Sequence, residues 1–467
     1  MKRRDFLKKS AILTAAAGMG GLSANAITPF GADNPDPESD IISDDEPADE
    51  VPSKALISSE PMLQNFAETS IGVVFGVSAL ANGFVEYGRE PDLSDARKVV
   101  CGGYRTTDID DKVIRVRLTG LEPSTTYYYR IGADRINYED GYHMSILGTE
   151  KKDRIYKFTT AGKGTKAHFC VINDTHAKWE CFGPVTDKLA AISPSCVIWN
   201  GDATNREEKI DNQRRIFLTP SVDRKDYAAE TPYLLCPGNH DQRGMANRHL
   251  ERIWMFRQGE ERSSRDWDLG RNFAVRMGDI AMIGLDTGED KLDTNPRFAG
   301  LFNNKAYREA QQLWLRDALK REEIASAPFL VAFCHIPLFD DRPDANPGDV
   351  FPDDHDIRYK NGYAAWQRTC AGLWGPLLNE SGCQLVITGH QHQYRYLPAG
   401  DGRSWGQIIG GGPVMGYEMK DGVRKEKPAL YPTVVEGLVE GNKLKVTVHN
   451  IVTGKVQETF TFKPRTK

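Results

Sequence analysis

The sequence contains no apolar run of about 18 residues, the length that a helix needs to cross a bilayer. Its 467 residues are 40% hydrophobic and 27% charged, which is the composition of a globular protein. A chain of this length exceeds one ordinary domain. We therefore expect more than one domain and no transmembrane span.

The chain also lacks a basic excess. Its net charge is −5; residues 1–26 carry five basic residues and one acid, and residues 33–53 carry nine acids and no base. Residues 54–467 therefore sum to about zero. Nucleic-acid-binding domains usually carry a basic patch or stripe, so we expect no nucleic-acid partner.

Paired cysteines of the Cys-x-x-Cys type are absent, although eight cysteines are present. Several lie inside apolar runs, such as Cys170 in AHFCVIN and Cys334 in LVAFC. Single cysteines in apolar segments are typical of small buried side chains. We favour buried thiols over disulfides or zinc ligands.

The N-terminus has the three parts of an export signal. Residues 1–26 begin with basic residues, continue with a short apolar stretch and end in an A-x-A pattern at Ala26. The segment RRDFLK resembles a twin-arginine signal, so a periplasmic or secreted location is expected. Cleavage after Ala26 and retention as an anchor both stay open. Residues 27–56 are acidic and rich in proline, which predicts a disordered linker.

Residues 57–163 are predicted to form a small all-β domain. Runs rich in Val, Thr, Tyr and Ile alternate with turn residues, best seen in residues 113–132. Short strands at this spacing favour a β-sandwich. The segment LTGLEPSTTYYYRI and the later YKFTTA resemble a fibronectin type III domain and the N-terminal module of purple-acid-phosphatase-like proteins. This resemblance implies a fold and no activity.

From residue 164 to residue 467, short apolar runs alternate with amphipathic segments, which favours a layered α/β fold. Five of these runs end in the polar segments NDTH, NGD, PGNHD, HIP and GHQH. In such folds ligands bind beyond the carboxyl ends of the strands. We therefore expect one site built from these five loops.

The residue types in these loops predict a metal site. Carboxylates and neutral imidazoles are ligands of divalent first-row metals. Seven candidates exceed what one ion takes and fit two ions that share a ligand. The candidates are Asp174, His176, Asp202, Asn239, His335, His390 and His392. Separate packing roles for the histidines are the alternative, but five of only ten histidines lie at these strand ends, which disfavours it.

As an ordered set, D-T-H, G-D, G-N-H-D, H-I-P and G-H-Q-H resemble the motifs of calcineurin-like metallophosphoesterases. The segment QQLWLRDAL and the run QIIGGGP at residues 407–413 are also similar to that family. The resemblance implies a core of two facing β-sheets flanked by helices, an α/β/β/α arrangement. The fibronectin type III-like sandwich would precede this core.

The resemblance also implies roles for single residues. One ion takes Asp174, His176, Asp202 and His392, and the other takes Asp202, Asn239, His335 and His390, so that Asp202 bridges. The two divalent ions, with Mn, Zn and Fe all open, supply a bridging hydroxide that attacks phosphorus. His240 serves as hydrogen-bond donor or general acid. Asp241 either orients His240 or caps a helix.

One position departs from the purple acid phosphatases, which carry a tyrosine ligand three residues after the bridging aspartate. Asn205 occupies that position here, and His176 is a histidine that their first motif lacks. The metal site therefore resembles the broader family. Arg206 and Arg243 are candidates to clamp a phosphate oxygen. The polar segment 339–362 is predicted to be either a lid or a surface decoration.

These patterns favour an exported, dinuclear metal-dependent phosphoesterase whose first candidate substrate is a phosphomonoester, either a small molecule or a component of the cell envelope. A phosphodiesterase acting on nucleotides, lipids or envelope polymers is the alternative, because one metal centre serves both reactions. A surface binding protein without catalysis is a third hypothesis. It predicts an incomplete ligand set, whereas all seven candidate ligands are present.

Overall fold

The computed structural model describes residues 55–465 apart from 101–108, 221–223, 257–266, 296–297, 341–358, 414, 421–422 and 429–431. The predicted export signal and nearly all of the predicted acidic linker therefore lie outside the described residues. Among the helices of the described part, none combines the length and the hydropathy of a membrane span.

The chain forms 22 strands and five α-helices within this part. The strands are β1 (Met62–Gln64), β2 (Ile71–Gly76), β3 (Ala81–Gly88), β4 (Arg97–Val100), β5 (Val113–Leu118), β6 (Thr126–Tyr138), β7 (Met144–Lys151), β8 (Tyr156–Thr159), β9 (His168–Ile172), β10 (Cys196–Trp199), β11 (Tyr233–Leu235), β12 (Phe273–Met277), β13 (Ile280–Leu285), β14 (Phe329–Cys334), β15 (Leu385–Thr388), β16 (Arg395–Leu397), β17 (Gly406–Ile409), β18 (Met415–Lys420), β19 (Val423–Pro428), β20 (Thr433–Glu440), β21 (Lys443–Asn450) and β22 (Val456–Phe462). The helices are α1 (Trp179–Ile192), α2 (Ile210–Leu218), α3 (Asn304–Ala318), α4 (Glu322–Ala325) and α5 (Tyr359–Glu380), with 3-10 helices at His240–Gln242 and Asn247–Arg252.

Two large sheets carry the core. One has nine strands in the order β22-β21-β20-β9-β10-β11-β1-β2-β5, and the other has six in the order β12-β13-β14-β15-β17-β16. The central strands pair in parallel, as β9-β10-β11 and as β13-β14-β15-β17. They are buried along their whole length. Continuous apolar runs such as FLVAFC suit strands that are covered on both faces.

Three apolar clusters show how the layers pack. The largest lies between the two sheets, where the rings of Phe169 and Phe333 meet edge-on with centroids 5.5 Å apart. A second lies under α1 and α2 on the outer face of the nine-stranded sheet. A third lies under α3 and α5 on the outer face of the six-stranded sheet. The predicted α/β/β/α core is confirmed.

Helix α3 shows how sequence spacing sets a buried face. Its buried residues recur every three or four positions, which is the period of one helix face. The apolar members, Leu315 and Ala318, pack in the third cluster. The polar members, Asn304, Arg308 and Gln311, bind the loop that follows β13. One helix thus stabilises both the core and a loop at the edge of the sheet.

The N-terminal module is a β-sandwich that shares one layer with the nine-stranded sheet. Strands β1, β2 and β5 extend that sheet beyond β11 through the parallel pairing of Gln64 with Tyr233. Strands β3, β4, β6, β7 and β8 pair antiparallel in the second layer. Val73 and Val116 of one layer share an apolar cluster with Ile131 of the other. The predicted all-β sandwich is confirmed, and its continuity with the large sheet is a further finding.

The seven cysteines within the described residues are all buried thiols. Burial raises the pKa of the thiols of Cys170, Cys196 and Cys334. The cysteines of the described residues are therefore buried thiols, as expected from the sequence.

Candidate metal centre

The five predicted loops follow β9, β10, β11, β14 and β15 and meet at one edge of the two sheets. Asn200, at the end of β10, crosses from one sheet to the other. Its Nδ2 donates to the carbonyl oxygen of Cys334 at 3.1 Å and to that of Ile387 at 3.0 Å. This contact joins the carboxyl ends of β10, β14 and β15, so the loops that follow them lie side by side.

The backbone of these loops is unusual. Five of the predicted ligands have positive φ: Asp174 at 51°, His176 at 48°, Asp202 at 48°, His390 at 71° and His392 at 55°. Residues other than glycine rarely adopt this region. Such conformations cluster at functional sites, where the surrounding structure holds them in place. The loop conformations therefore support a functional role for this edge of the sheets.

Four of the predicted ligands form a first cluster. Asp174, His176, Asp202 and His392 each offer one ligand atom, and these atoms lie within 4.8 Å of one another. His392 Nε2 lies 3.3 Å from Asp174 Oδ1, and His176 Nε2 lies 2.8 Å from His392 Nε2. Two ring nitrogens and two carboxylates thus face one common space.

The remaining predicted ligands form a second cluster that shares Asp202 with the first. Asp202, His335 and His390 offer ligand atoms within 4.8 Å of one another. His335 Nε2 lies 3.0 Å from Asp202 Oδ2. Asn239 joins through its Oδ1, which is 3.0 Å from His390 Nδ1. The structure therefore brings all seven predicted ligands together in two groups with Asp202 in common.

The donor atoms fit divalent ions. His335 Nδ1 donates to the carbonyl oxygen of Asn200 at 2.8 Å, because a carbonyl only accepts. This contact directs Nε2 towards Asp202, and within the described residues that buried nitrogen makes no hydrogen bond. A buried ring nitrogen that faces a carboxylate and makes no hydrogen bond is a position that a metal ion would satisfy.

The electrostatics of the cavity favour positive charge. Burial opposes ionisation of Asp174 and Asp202, but His335 and the neighbouring histidines lower the pKa of both carboxyls. Burial likewise lowers the pKa of His335, but Asp202 and Asp174 outweigh it and raise that pKa to about 10. Two buried carboxylates that stabilise a proton on His335 also attract metal cations, which bind to that imidazole in exchange for the proton.

Glycines let the loops approach each other closely. A Cβ on Gly238 would lie 2.2 Å from Asp202 Oδ1, and one on Gly389 would lie 2.6 Å from Asp174 Oδ2. A Cβ on Gly410, in the run QIIGGGP, would lie 2.1 Å from Asn173 Oδ1. Each motif glycine therefore stands where a side chain would displace a neighbouring loop.

His240 lies beside the first cluster. Its backbone N–H donates to Asp202 Oδ1 at 2.9 Å, and its ring meets the ring of His176 edge-on with centroids 4.8 Å apart. Nδ1 lies 2.8 Å from Asn205 Oδ1, and Nε2 lies 3.0 Å from an Nη of Arg243. Because an amide oxygen accepts and a guanidinium donates, His240 is neutral with its proton on Nδ1. Burial and the charge of Arg243 lower the pKa of His240.

The carboxylate of Asp241 contacts Thr204 and Gly238. Its Oδ1 accepts from the N–H and the hydroxyl of Thr204, both at 2.8 Å, and its Oδ2 accepts from the N–H of Gly238 at 2.9 Å. Burial and the charge of Asp202 raise the pKa of Asp241 to about 6. These contacts connect the loop after β10 to the loop after β11. A direct catalytic role for Asp241 stays a prediction.

A sixth loop, residues 286–291 after β13, also lies at this edge. The guanidinium of Arg243 donates to Glu289 at 2.6 and 2.9 Å and to Asp290 Oδ1 at 2.8 Å. Asp290 Oδ2 lies 4.0 Å from His390 Nε2. The motif pattern does not reveal this loop because it holds no histidine. The apolar run IAMIGL immediately before Asp286 is the signal that would have indicated it.

The loop with His390 and His392 has its own support. Gln391, between them, donates to Asp340 Oδ2 at 2.6 Å, and Arg395 donates to Asp340 Oδ1 at 2.9 Å. Asp340 is the second residue of the polar segment 339–362, whose residues 341–358 lie outside the described part of the chain.

Of the two predicted phosphate clamps, the structure places Arg243 next to His240 and leaves Arg206 exposed. Both residues follow motif loops at similar spacing. Sequence spacing alone therefore did not separate them.

Comparisons with known proteins agree with this arrangement. The model of the calcineurin-like phosphoesterase family matches residues 167–394, and that of the purple acid phosphatase N-terminal domain matches residues 62–160. Among solved structures, the purple acid phosphatase PPD1 from yellow lupin (Lupinus luteus) seeds is 14% identical, with 86% of this chain and 74% of that chain covered and a TM-score of 0.55. PhoD is 12% identical, with 88% and 91% covered and a TM-score of 0.57. No curated protein matches the chain.

The two structural neighbours share the fold with this chain, and the two family models account for both of its folded parts. The ligand clusters supply the metal-binding residues that such a family needs. The chain is therefore a metal-dependent phosphoester hydrolase of the calcineurin-like phosphoesterase family, with a purple acid phosphatase N-terminal domain.

Proposed function

We propose that this enzyme hydrolyses phosphomonoesters with two divalent cations bound at the two ligand clusters. The observation that carries the proposal is the position of Asp202, whose carboxylate belongs to both clusters. The proposed ligands are those predicted from the sequence: Asp174, His176, Asp202, Asn239, His335, His390 and His392. Their oxygen and nitrogen donors suit Mn, Zn or Fe.

Bound cations of this kind supply Lewis-acid activation of water and of the phosphoryl group. The chain itself orients the ligands. Asn200 fixes the ring of His335 through its carbonyl oxygen, and Asp340 fixes the loop of His390 and His392 through Gln391. Such supporting contacts determine the orientation of metal ligands.

His240 is the residue that we propose to protonate the leaving oxygen. Its Nδ1–H donates to Asn205, which holds the ring so that Nε2 faces Arg243 beside the first cluster. In this state Nε2 accepts a hydrogen bond from Arg243. To act as a general acid it would first take a proton from solvent and lose that hydrogen bond, and it would then pass the proton to the leaving oxygen. We assign Asp241 the role of a positioning residue, because its contacts hold the loop of Asp202 against the loop of His240.

The proposal is tested by measuring bound metal and turnover on the same sample. We expect stoichiometric divalent metal, loss of turnover on chelation, and faster turnover of phosphomonoesters than of phosphodiesters. In His240→Ala we expect metal to be retained and kcat to fall by about 10²–10⁴, the range for loss of a general acid.

The matched control is His249→Ala, because His249 is an exposed histidine nine residues further on. It should leave both metal content and kcat unchanged. A wild-type chain that binds no metal would refute the dinuclear proposal. Faster turnover of phosphodiesters than of phosphomonoesters would show that the enzyme is a phosphodiesterase.

We also propose that residues 1–26 direct export, with the acidic linker 27–56 between the signal and the folded part. The proposal rests on the sequence, and sequencing the N-terminus of the mature protein tests it. Ile27 as the first residue would support cleavage after Ala26.

A further inference from the structure

Arg243 is held in a fixed position by buried acids. Its Nε and one Nη donate to the two oxygens of Glu289, in the fork geometry that makes arginine–carboxylate pairs specific. The same Nη donates to Asp290 Oδ1. Glu289 and Asp290 are almost fully buried, whereas the side chain of Arg243 is 15% exposed. The guanidinium is therefore rigid and still partly accessible to solvent.

The acids themselves are held from behind by α3. Asn304 Oδ1 accepts from the N–H of Glu289 at 3.1 Å. Arg308 donates to the carbonyl oxygens of Thr287 at 3.0 Å and Glu289 at 2.5 Å. Each of these contacts involves the backbone of the loop, so its course does not depend on Arg243. The loop after β13 is a preformed support.

Arg243 stands next to both ligand clusters. Through its second Nη it contacts His240, whose ring packs on His176 of the first cluster. Through Asp290 it is one contact from His390 of the second cluster. A donor in this position can reach an oxygen of a phosphoryl group that spans the two clusters.

Neutralising the acids is a second role that Arg243 could have. Lys291 already contacts Asp290 Oδ1 at 3.0 Å and lies 3.8 Å from Glu289 Oε1, so one cation faces the pair without Arg243. Charge balance also does not require an Nη to point at His240. The orientation of the Arg243 guanidinium, with one Nη towards His240, is what favours a role in binding substrate.

We propose that Arg243 is a substrate-binding residue that donates to a non-bridging oxygen of the phosphoryl group, with Glu289 and Asp290 as the residues that position it. The inference rests on the proposed function of the same site. A terminal phosphate has three non-bridging oxygens and a diester has two, so this extra donor favours phosphomonoesters.

The test uses the full-length, metal-loaded enzyme and inorganic phosphate as a competitive inhibitor of phosphomonoester turnover. In Arg243→Ala we expect the inhibition constant of phosphate to rise about 10- to 100-fold, the effect of losing a hydrogen bond to a charged group. Metal content should stay at the wild-type value. Arg243→Lys should recover only part of the affinity, because an ammonium keeps the charge and loses the fork.

Two further variants separate binding from structure. Arg243→Gln combined with Glu289→Gln removes one positive and one negative charge together, so the charge of the buried site stays balanced. This double variant keeps the test possible if the single variant does not fold. Arg248→Gln is the matched control, because Arg248 is an exposed arginine five residues further on, and it should leave phosphate inhibition unchanged.

A weakened phosphate inhibition in the double variant with intact metal supports the proposal. Unchanged phosphate inhibition in the folded, metal-loaded Arg243 variants overturns it and leaves charge balance as the role of Arg243. Failure of the proposed function is distinguishable, because it would appear as absent metal or absent turnover in the wild-type enzyme.

Discussion

Asn200 shows how one side chain unites the two large sheets. It is fully buried, and its amide donates to a carbonyl oxygen on each of two strands of the opposite sheet. The backbone carbonyl oxygen of Asn200 accepts a hydrogen bond from the ring of His335. Two residues later the chain reaches Asp202. Asn200 thus joins the two sheets and also helps to position two proposed ligands, His335 and Asp202.

Replacement of this amide tests its importance. In Asn200→Leu, the carbonyl oxygens of Cys334 and Ile387 lose their side-chain donor while burial is kept. We expect the free energy of unfolding to fall by about 2–4 kcal/mol, since unpaired buried acceptors are costly. Chemical denaturation measures the change.

Bound metal should fall in the same variant, because the loops of Asp202 and His335 are no longer tied together. Asn442→Leu is the control at an exposed turn, where we expect a change within about 0.5 kcal/mol. Wild-type stability in Asn200→Leu would show that the sheets do not need this bridge.

Single residues also mark the limit of what sequence patterns predict. The seven proposed ligands follow apolar runs, and strand ends can be located from local sequence alone. The partners of His240 could not be located in that way. Asn205 reaches its ring only because the loop after β10 packs against the loop after β11, and such packing is set by tertiary contacts. Arg243 is close in sequence, but its guanidinium is oriented by Glu289 of a third loop.

The loop after β17 illustrates how an element without ligands shapes the site. The run of glycines at 410–412 passes over the loop of Asn173 and Asp174. Gly410 N–H donates to the carbonyl oxygen of Thr388 at 2.7 Å, and Thr433 N–H donates to the carbonyl oxygen of Gly411 at 2.9 Å. The glycine loop is therefore anchored on both sides and leaves no room for a side chain.

Gly410→Ala should disturb this packing. The added Cβ would lie 2.1 Å from Asn173 Oδ1, so one of the two loops must move. We expect a loss of about 1–3 kcal/mol of stability and weaker retention of metal, because Asp174 moves with its neighbour. Thermal unfolding and metal analysis of the purified variant measure both effects.

The control is Gly372→Ala in α5, where a Cβ meets no atom within 4 Å. That change should be neutral or stabilising by up to about 1 kcal/mol, since alanine favours helix. Equal behaviour of the two alanine variants would contradict the assigned role of the glycine loop.

The elements differ in how readily the sequence predicts them. Helix α3 and the strands FLVAFC and LVIT are predictable because their burial pattern is local. The role of segment 286–291 could not be predicted because its acidic residues belong to no recognisable motif. Their role arises from contacts with Arg243 and α3 that are distant in sequence.

In the molecule as a whole, one layer of the sandwich and one sheet of the α/β core form a single nine-stranded sheet. The sequence separates them into 57–163 and 164–467 by composition, and that division stays our proposal for the domains. Composition could not predict that β1 pairs with β11, since strand pairing between distant segments leaves no local trace. Tyr129 of β6 adds a second link by donating to the carbonyl oxygen of Ala229 at 2.6 Å.

This continuity predicts that the core does not fold well alone. A chain of residues 164–467 would expose the edge of β11 and the apolar surface that β1 and β2 cover. Exposed apolar strand edges lead to aggregation. We expect little soluble monomer on size-exclusion chromatography, whereas a chain that starts at Ala55 retains every described strand and should be monodisperse. A soluble, cooperatively unfolding 164–467 chain would argue against this.

The buried cysteines bear on the conditions under which this protein survives. A thiol with a raised pKa and no contact with solvent is a poor nucleophile. Oxidants and small-molecule disulfides therefore have little access to the cysteines of the described fold. Once folded, this part of the chain should keep its shape in reducing and in oxidising surroundings alike, so its tolerance of either environment comes from packing and not from crosslinks.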